Sequence, residues 1–147
     1  AIGAGFDLCC MCDIRLGSVH AKMGETFVNL GIIPGDGGAW FLPRVVGPQR
    51  AAELTFSGRI VAADEAKEIG LLLEVLPAEE LLPACRDMAA NFAAKPREAI
   101  RTAKRLLRSG QRMQLPDFLD YSASLQSICH TTSEHEDAVQ AMVDKVR

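Results

Sequence analysis

Residues 1–15 read AIGAGFDLCCMCDIR, a small-residue turn that runs straight into an acid and then an apolar stretch. Gly3, Ala4 and Gly5 have the composition of a tight turn. Residues 5–12 (GFDLCCMC) have the length and apolarity of a short buried helix. A glycine-rich turn entering a helix leaves the first backbone N–H groups without intrahelical partners. They point outward at the positive end of the dipole, where a carbonyl oxygen or an oxyanion fits. Asp7 stands three residues after Ala4, on nearly the same helix face. Two readings of the acid follow. It is a proton-handling carboxylate beside a polarised carbonyl, or it is an ordinary first-turn acid matched to the dipole.

A second glycine turn, Gly35-Asp36-Gly37-Gly38, opens a helix carrying Trp40, Phe41 and Leu42 that is expected to end near Pro43. It places backbone groups and a carboxylate at a site, or it is a tight turn in which Asp36 caps the helix. It lacks the lysine and Ser/Thr of a phosphate-binding P-loop, which argues against nucleotide hydrolysis. Residues 14–16 suit a strand, and residues 23–30 alternate loosely enough for another. Pro48 sits at the first turn of a helix running to residue 55. Residues 64–69 read as a helix closed by Gly70, and residues 71–76 as a strand that is apolar except for Glu74.

The character of the chain changes near Pro77. Glycines punctuate the part before it; Gly110 is the only glycine after it. Helices are expected over 79–93, 97–108, 117–129 and 134–146. In the third, Phe118, Tyr121, Leu125 and Ile128 recur at helical spacing; in the fourth, Val139, Met142, Val143 and Val146 do so. This divides the chain into residues 1–77, holding the turn and the acid, and a helical region over 78–147.

The bulk composition bounds the class. The 147 residues make one ordinary domain or part of a larger protein, 48% hydrophobic and 24% charged, as in soluble globular chains. A net charge of −3 gives no reason to expect nucleic acid or an anionic membrane as partner. No apolar run has the length of a membrane span, and the start lacks the basic region of a signal peptide. The five cysteines are odd in number, and Cys9, Cys10 and Cys12 are too crowded on one helix to pair. They read as small buried thiols of a reducing cytoplasm. A metal cluster is the alternative, but no second set of ligands follows at zinc spacing.

Other chemistry-bearing residues have plain readings. Arg97, Arg101, Lys104 or Arg105, Arg108 and Arg112 form a basic stripe at helical spacing, either a phosphate-facing surface or a solvated helix face. His130 and His135, five apart, share a helix face poorly, and SEHED is not a zinc HExxH motif. Glu134, Glu136 and Asp137 suit a helix start.

The ordered set GAG before an acid, CDIR, AKMG, VNLGIIPGDGG and LPRVVG resembles the crotonase superfamily, the enoyl-CoA hydratase/isomerase family. The later stretch AAELTFSGRIVAADEAKEIGLLLEVLP is similar to the next family segment, so nearly the whole chain is covered. The resemblance implies an α/β fold, a spiral of ββα turns followed by a helical trimerisation region. This chain would match its C-terminal part. It also implies an acyl-CoA thioester whose carbonyl sits between two backbone N–H groups. One of these would be the amide of Ala4, in the turn formed with Gly3 and Gly5. Losing one such donor to a developing enolate costs on the order of 3 kcal/mol of barrier. The other donor and much of the coenzyme A surface would lie upstream of this turn.

The acids depart from the family pattern. Of the two glutamates that flank water in family hydratases, the first is matched by Asp7 and the second by Phe27, which cannot move a proton. Some family isomerases instead place an aspartate in the IPG turn; here that position is Gly35, with Asp36 next. The resemblance therefore implies an acyl-CoA hydratase or isomerase using Asp7, helped by Asp36. Gly35 and Trp40 would border the substrate, and Phe27 would line a dry acyl pocket. A CoA-thioester hydrolase and an inactive assembly module are the rival readings. No metal and no cofactor beyond the coenzyme A of the substrate are expected. The expected assembly is a homotrimer or hexamer in the cytoplasm.

Overall fold

The computed structural model describes residues 1–146. In chain order the elements are α1 (Ala4–Met11), β1 (Leu16–Ser18), β2 (Lys22–Met23), a 3-10 turn (Phe27–Leu30), α2 (Gly38–Val46) and α3 (Pro48–Ser57). There follow β3 (Val61–Ala62), α4 (Ala63–Glu68), β4 (Glu74–Leu76), α5 (Ala78–Ala93), α6 (Arg97–Gly110), α7 (Leu115–His130) and α8 (Ser133–Val146). The chain forms two units, Ala1–Cys85 and a second beginning at Arg86, so the division lies within α5.

In the first unit β1 runs parallel to β4, with Gly17 opposite Val75. β2 pairs antiparallel with β3, with Met23 opposite Val61. The core is made by one face of each helix. Phe6 and Cys10, four apart on α1, meet Leu42 of α2 and Ala51 and Leu54 of α3. Met23, Val61, Ala66, Leu71 and Leu72 close the cluster from the strands, α4 and the segment after it. Full burial of side chains such as Phe6, Leu42 and Leu54 contributes about 1.5–3 kcal/mol each before entropy is counted.

Several expected boundaries move. The strand expected at 14–16 lies at Leu16–Ser18, because it takes its register from β4. Of residues 23–30 only Met23 is in a strand; Phe27–Leu30 turn instead, closed by Gly31 in the left-handed region (φ 71°). Of residues 71–76 only Glu74–Leu76 pair as strand; the Leu72 N–H turns back to the Ala66 carbonyl at 2.9 Å instead. α2 does not end near Pro43 but continues to Val46. Pro43 is the sixth residue of that helix and leaves the Ala39 carbonyl without its helical donor. Burial of the neighbouring Leu42 in the core holds the helix together across that gap.

In the second unit α6 packs on α7 and α7 on α8. Every described side chain of these three helices keeps some solvent exposure, so Phe118, Tyr121 and Leu125 are half-buried and Ile128 is exposed. Glu134 accepts from the Glu98 N–H at 3.1 Å, satisfying a free donor at the start of α6. His130 and His135 fall on different helices and meet across the α7–α8 joint, Nδ1 to Nε2 at 3.1 Å. Their separation of five matters little once the chain reverses between them.

Candidate active site

The turn before α1 is held by Gly3, whose φ of 58° and ψ of −128° suit glycine and strain any side chain. The Gly3 N–H donates to the Gly24 carbonyl at 2.9 Å, and its own carbonyl accepts from Phe6 at 2.8 Å and Asp7 at 3.1 Å. Ala4 and Gly5 are exposed. Gly5 N–H bonds back to the Ile2 carbonyl at 3.3 Å, whereas the Ala4 N–H has no protein acceptor among the described residues. Phe27 is half-buried beneath this turn; its ring lies 3.8 Å from where a Cβ on Gly3 would stand.

Asp7 is turned into the protein. Its side chain is fully buried, and Oδ2 accepts from the Gly38 N–H at 2.9 Å. The Asp7 carboxylate thus caps α2 from a different helix. Asp36 does not cap it: the N-cap is Gly37, at φ 109°, with no side-chain bond. Asp36 and Gly35 are exposed, and the Asp36 charge lies close enough to disfavour ionisation of Asp7.

The sequence motifs do not single out the residue that completes the cluster. Glu25 is 1% exposed, and its Oε2 accepts from the Thr55 hydroxyl. The other oxygens, Asp7 Oδ1 and Glu25 Oε1, are buried without a partner. A Cβ added at Gly38 would overlap both of them, so they converge on one point that only glycine leaves open. Burial raises the Asp7 carboxyl above its ordinary value, against the Gly38 bond; the Asp36 charge adds to the rise. Burial likewise raises Glu25, against the Thr55 bond, with the Asp7 charge adding to it. Cys10 is pushed up to about 12, first by burial. Glu25 had a signal in the sequence: with Met23 two residues before it, it shares the inward face of the alternating stretch.

Trp40 is not brought to this cluster. It follows Gly38 by two residues, roughly 200° round the helix. It is half-exposed, with the Arg44 guanidinium 3.5 Å from its ring centroid and Arg44 Nη1 donating to its carbonyl at 2.7 Å. Two surface hollows, of about 310 and 490 Å³, are lined by residues such as Arg15 and Leu72, and Arg50 and Glu68; neither includes Ala4 or Asp7. The cysteines are only partly the buried thiols expected: Cys10 is buried, Cys12 is exposed, and Cys9, Cys85 and Cys129 are intermediate.

The family model for enoyl-CoA hydratase/isomerase matches residues 1–147. The chain belongs to the enoyl-CoA hydratase/isomerase family. It is 34% identical over 145 residues to a crotonyl-CoA hydratase of Syntrophomonas wolfei, covering 99% of this chain and 56% of that protein. It is also 34% identical over 135 residues to a short-chain-enoyl-CoA hydratase of Clostridioides difficile, covering 92% of this chain and 87% of that protein. Among solved structures, an enoyl-CoA hydratase from Bacillus anthracis superposes with a TM-score of 0.96 at 34% identity, covering 99% of this chain and 56% of that one. The fold of this family member is therefore crotonase-like α/β. The chain spans about half the length of the first curated relatives it matches.

Proposed function

We propose that the intact protein is an acyl-CoA enzyme of the hydratase/isomerase type, with the Ala4 amide as one donor to the thioester oxygen and Asp7 as its acid–base carboxyl. The observation that carries this reading is the N–H of exposed Ala4 at the start of α1, without a protein acceptor, one turn from a buried carboxyl. A backbone donor at a helix start suits an oxygen that gains negative charge as an enolate forms. Gly3 and Gly5 shape the turn, Phe27 supplies an apolar wall, and Gly35 and Asp36 border the reacting carbons. The substrate brings its own coenzyme A, and no further cofactor is needed. The proposal extends to a chain that forms the C-terminal part of the family fold, with a helical trimerisation region, a homotrimer or hexamer, and a cytoplasmic setting.

The full burial of Asp7 and the phenyl ring at position 27 favour a second reading, a crotonase-like module without catalysis. The test is an assay of the intact polypeptide for water addition and double-bond migration on short enoyl-CoA thioesters, with Asp7→Asn beside it. The enzyme reading expects turnover that Asp7→Asn lowers by about 10²-fold or more. Equal rates from the two proteins would remove Asp7 from the chemistry.

A further inference from the structure

We propose that Glu25 is the positioning partner of Asp7: the two buried carboxyl groups hold one proton between them, and Glu25 thereby sets the pH range in which Asp7 acts. The catalytic half of this inference rests on the function proposed above; the shared proton does not.

The geometry leaves few alternatives. Asp7 Oδ1 and Glu25 Oε1 are buried, face the same point beside Gly38 and have no donor. Their sister oxygens are already satisfied by the Gly38 N–H and the Thr55 hydroxyl. Two bare carboxylates cannot both keep their charge in such a place. One proton placed between the free oxygens satisfies both and leaves a single charge. The titratable neighbours are Asp36, before α2, and Cys10, on α1; Asp36 adds negative charge and Cys10 is held as a neutral thiol. No cation pairs with either carboxyl among the described residues. Glu25 is two positions from the site that the family resemblance assigns to the second glutamate, where this chain has Phe27.

The proton balance then follows. Asp7, ionised, takes a proton from an acidic carbon of the thioester, and the C–H electron pair moves onto the thioester oxygen as an enolate. The pair now holds two protons. Returning one to another carbon of the substrate restores the singly protonated pair and completes a double-bond shift with no other reactant.

The decisive measurement is a carbon-13 NMR titration of the intact protein labelled at Asp and Glu carboxyls. Two carboxyl carbons should titrate together in two steps, one of them displaced above the ordinary carboxylate range, and Glu25→Gln should leave a single step. Independent titration of both within the ordinary range would overturn the pair. In activity, the wild type should show a bell-shaped kcat profile. Glu25→Gln, which can still donate to Asp7 but cannot ionise, should lose the alkaline limb with KM nearly unchanged. An alkaline limb identical in the variant would overturn the role given to Glu25. The NMR titration decides the shared proton whether or not any thioester is turned over, so the two readings fail separately.

Discussion

The Gly38 N–H donates to Asp7 Oδ2 at 2.9 Å across a sequence separation of 31. This bond ties the first turn of α2 to α1, and it brings the Gly38 backbone against two carboxyl groups at once. Gly38→Ala should therefore cost about 1–3 kcal/mol, the usual penalty for added volume in a packed site. Denaturant unfolding would read this as a lower midpoint. Gly35→Ala, where a Cβ meets open space, is the control and should stay within about 0.5 kcal/mol of wild type.

Stability should fall with rising pH across the range in which the pair ionises. Asp7 and Glu25 are raised above their unfolded values, so the native state holds protons that the unfolded state has released. Their contribution is fully present below the ordinary carboxylate values and is lost as pH climbs through the raised ones. Melting temperatures over a pH series should show this decline, and Glu25→Gln should flatten it.

Arg59 should act in the opposite sense. It meets Glu53 at 2.6 Å and Glu65 at 2.5 Å, and both carboxylates are held below their ordinary value by its hydrogen bonds. Their contribution is present above the ordinary values and is lost as pH falls through the lowered ones. Arg59→Gln should shrink the acid-side loss of melting temperature, and added salt should shrink the difference between variant and wild type.

Thr55→Val removes the donor to Glu25 Oε2 while keeping the side-chain shape. Leaving that buried oxygen unpaired should cost about 1–3 kcal/mol. Thr55→Ser should recover most of it. A valine variant as stable as wild type would show that Glu25 finds another donor.

Phe27→Glu restores a carboxyl where the family resemblance expects one, beneath the Gly3 turn. Under the proposed function it should raise water addition relative to double-bond migration, measured as the product ratio on one enoyl-CoA substrate. An unchanged ratio would mean that residue 27 does not face the reacting carbons.

Much of this was readable along the chain. Pro48 at a helix start, glycines at turns and apolar residues three and four apart act over a few neighbours, so they survive without tertiary context. The strands were harder. Leu16–Ser18 and Glu74–Leu76 take their limits from each other, and no local signal sets a register between segments so far apart.

Residue order alone was enough for the family, the helical second half and the turn at Gly3, because each depends on residue type at close spacing. The surroundings of Asp7 came into being only with folding. Glu25, Thr55 and Gly38 reach it from separate elements, and burial, shared charge and the space left by a missing Cβ exist only once those elements pack.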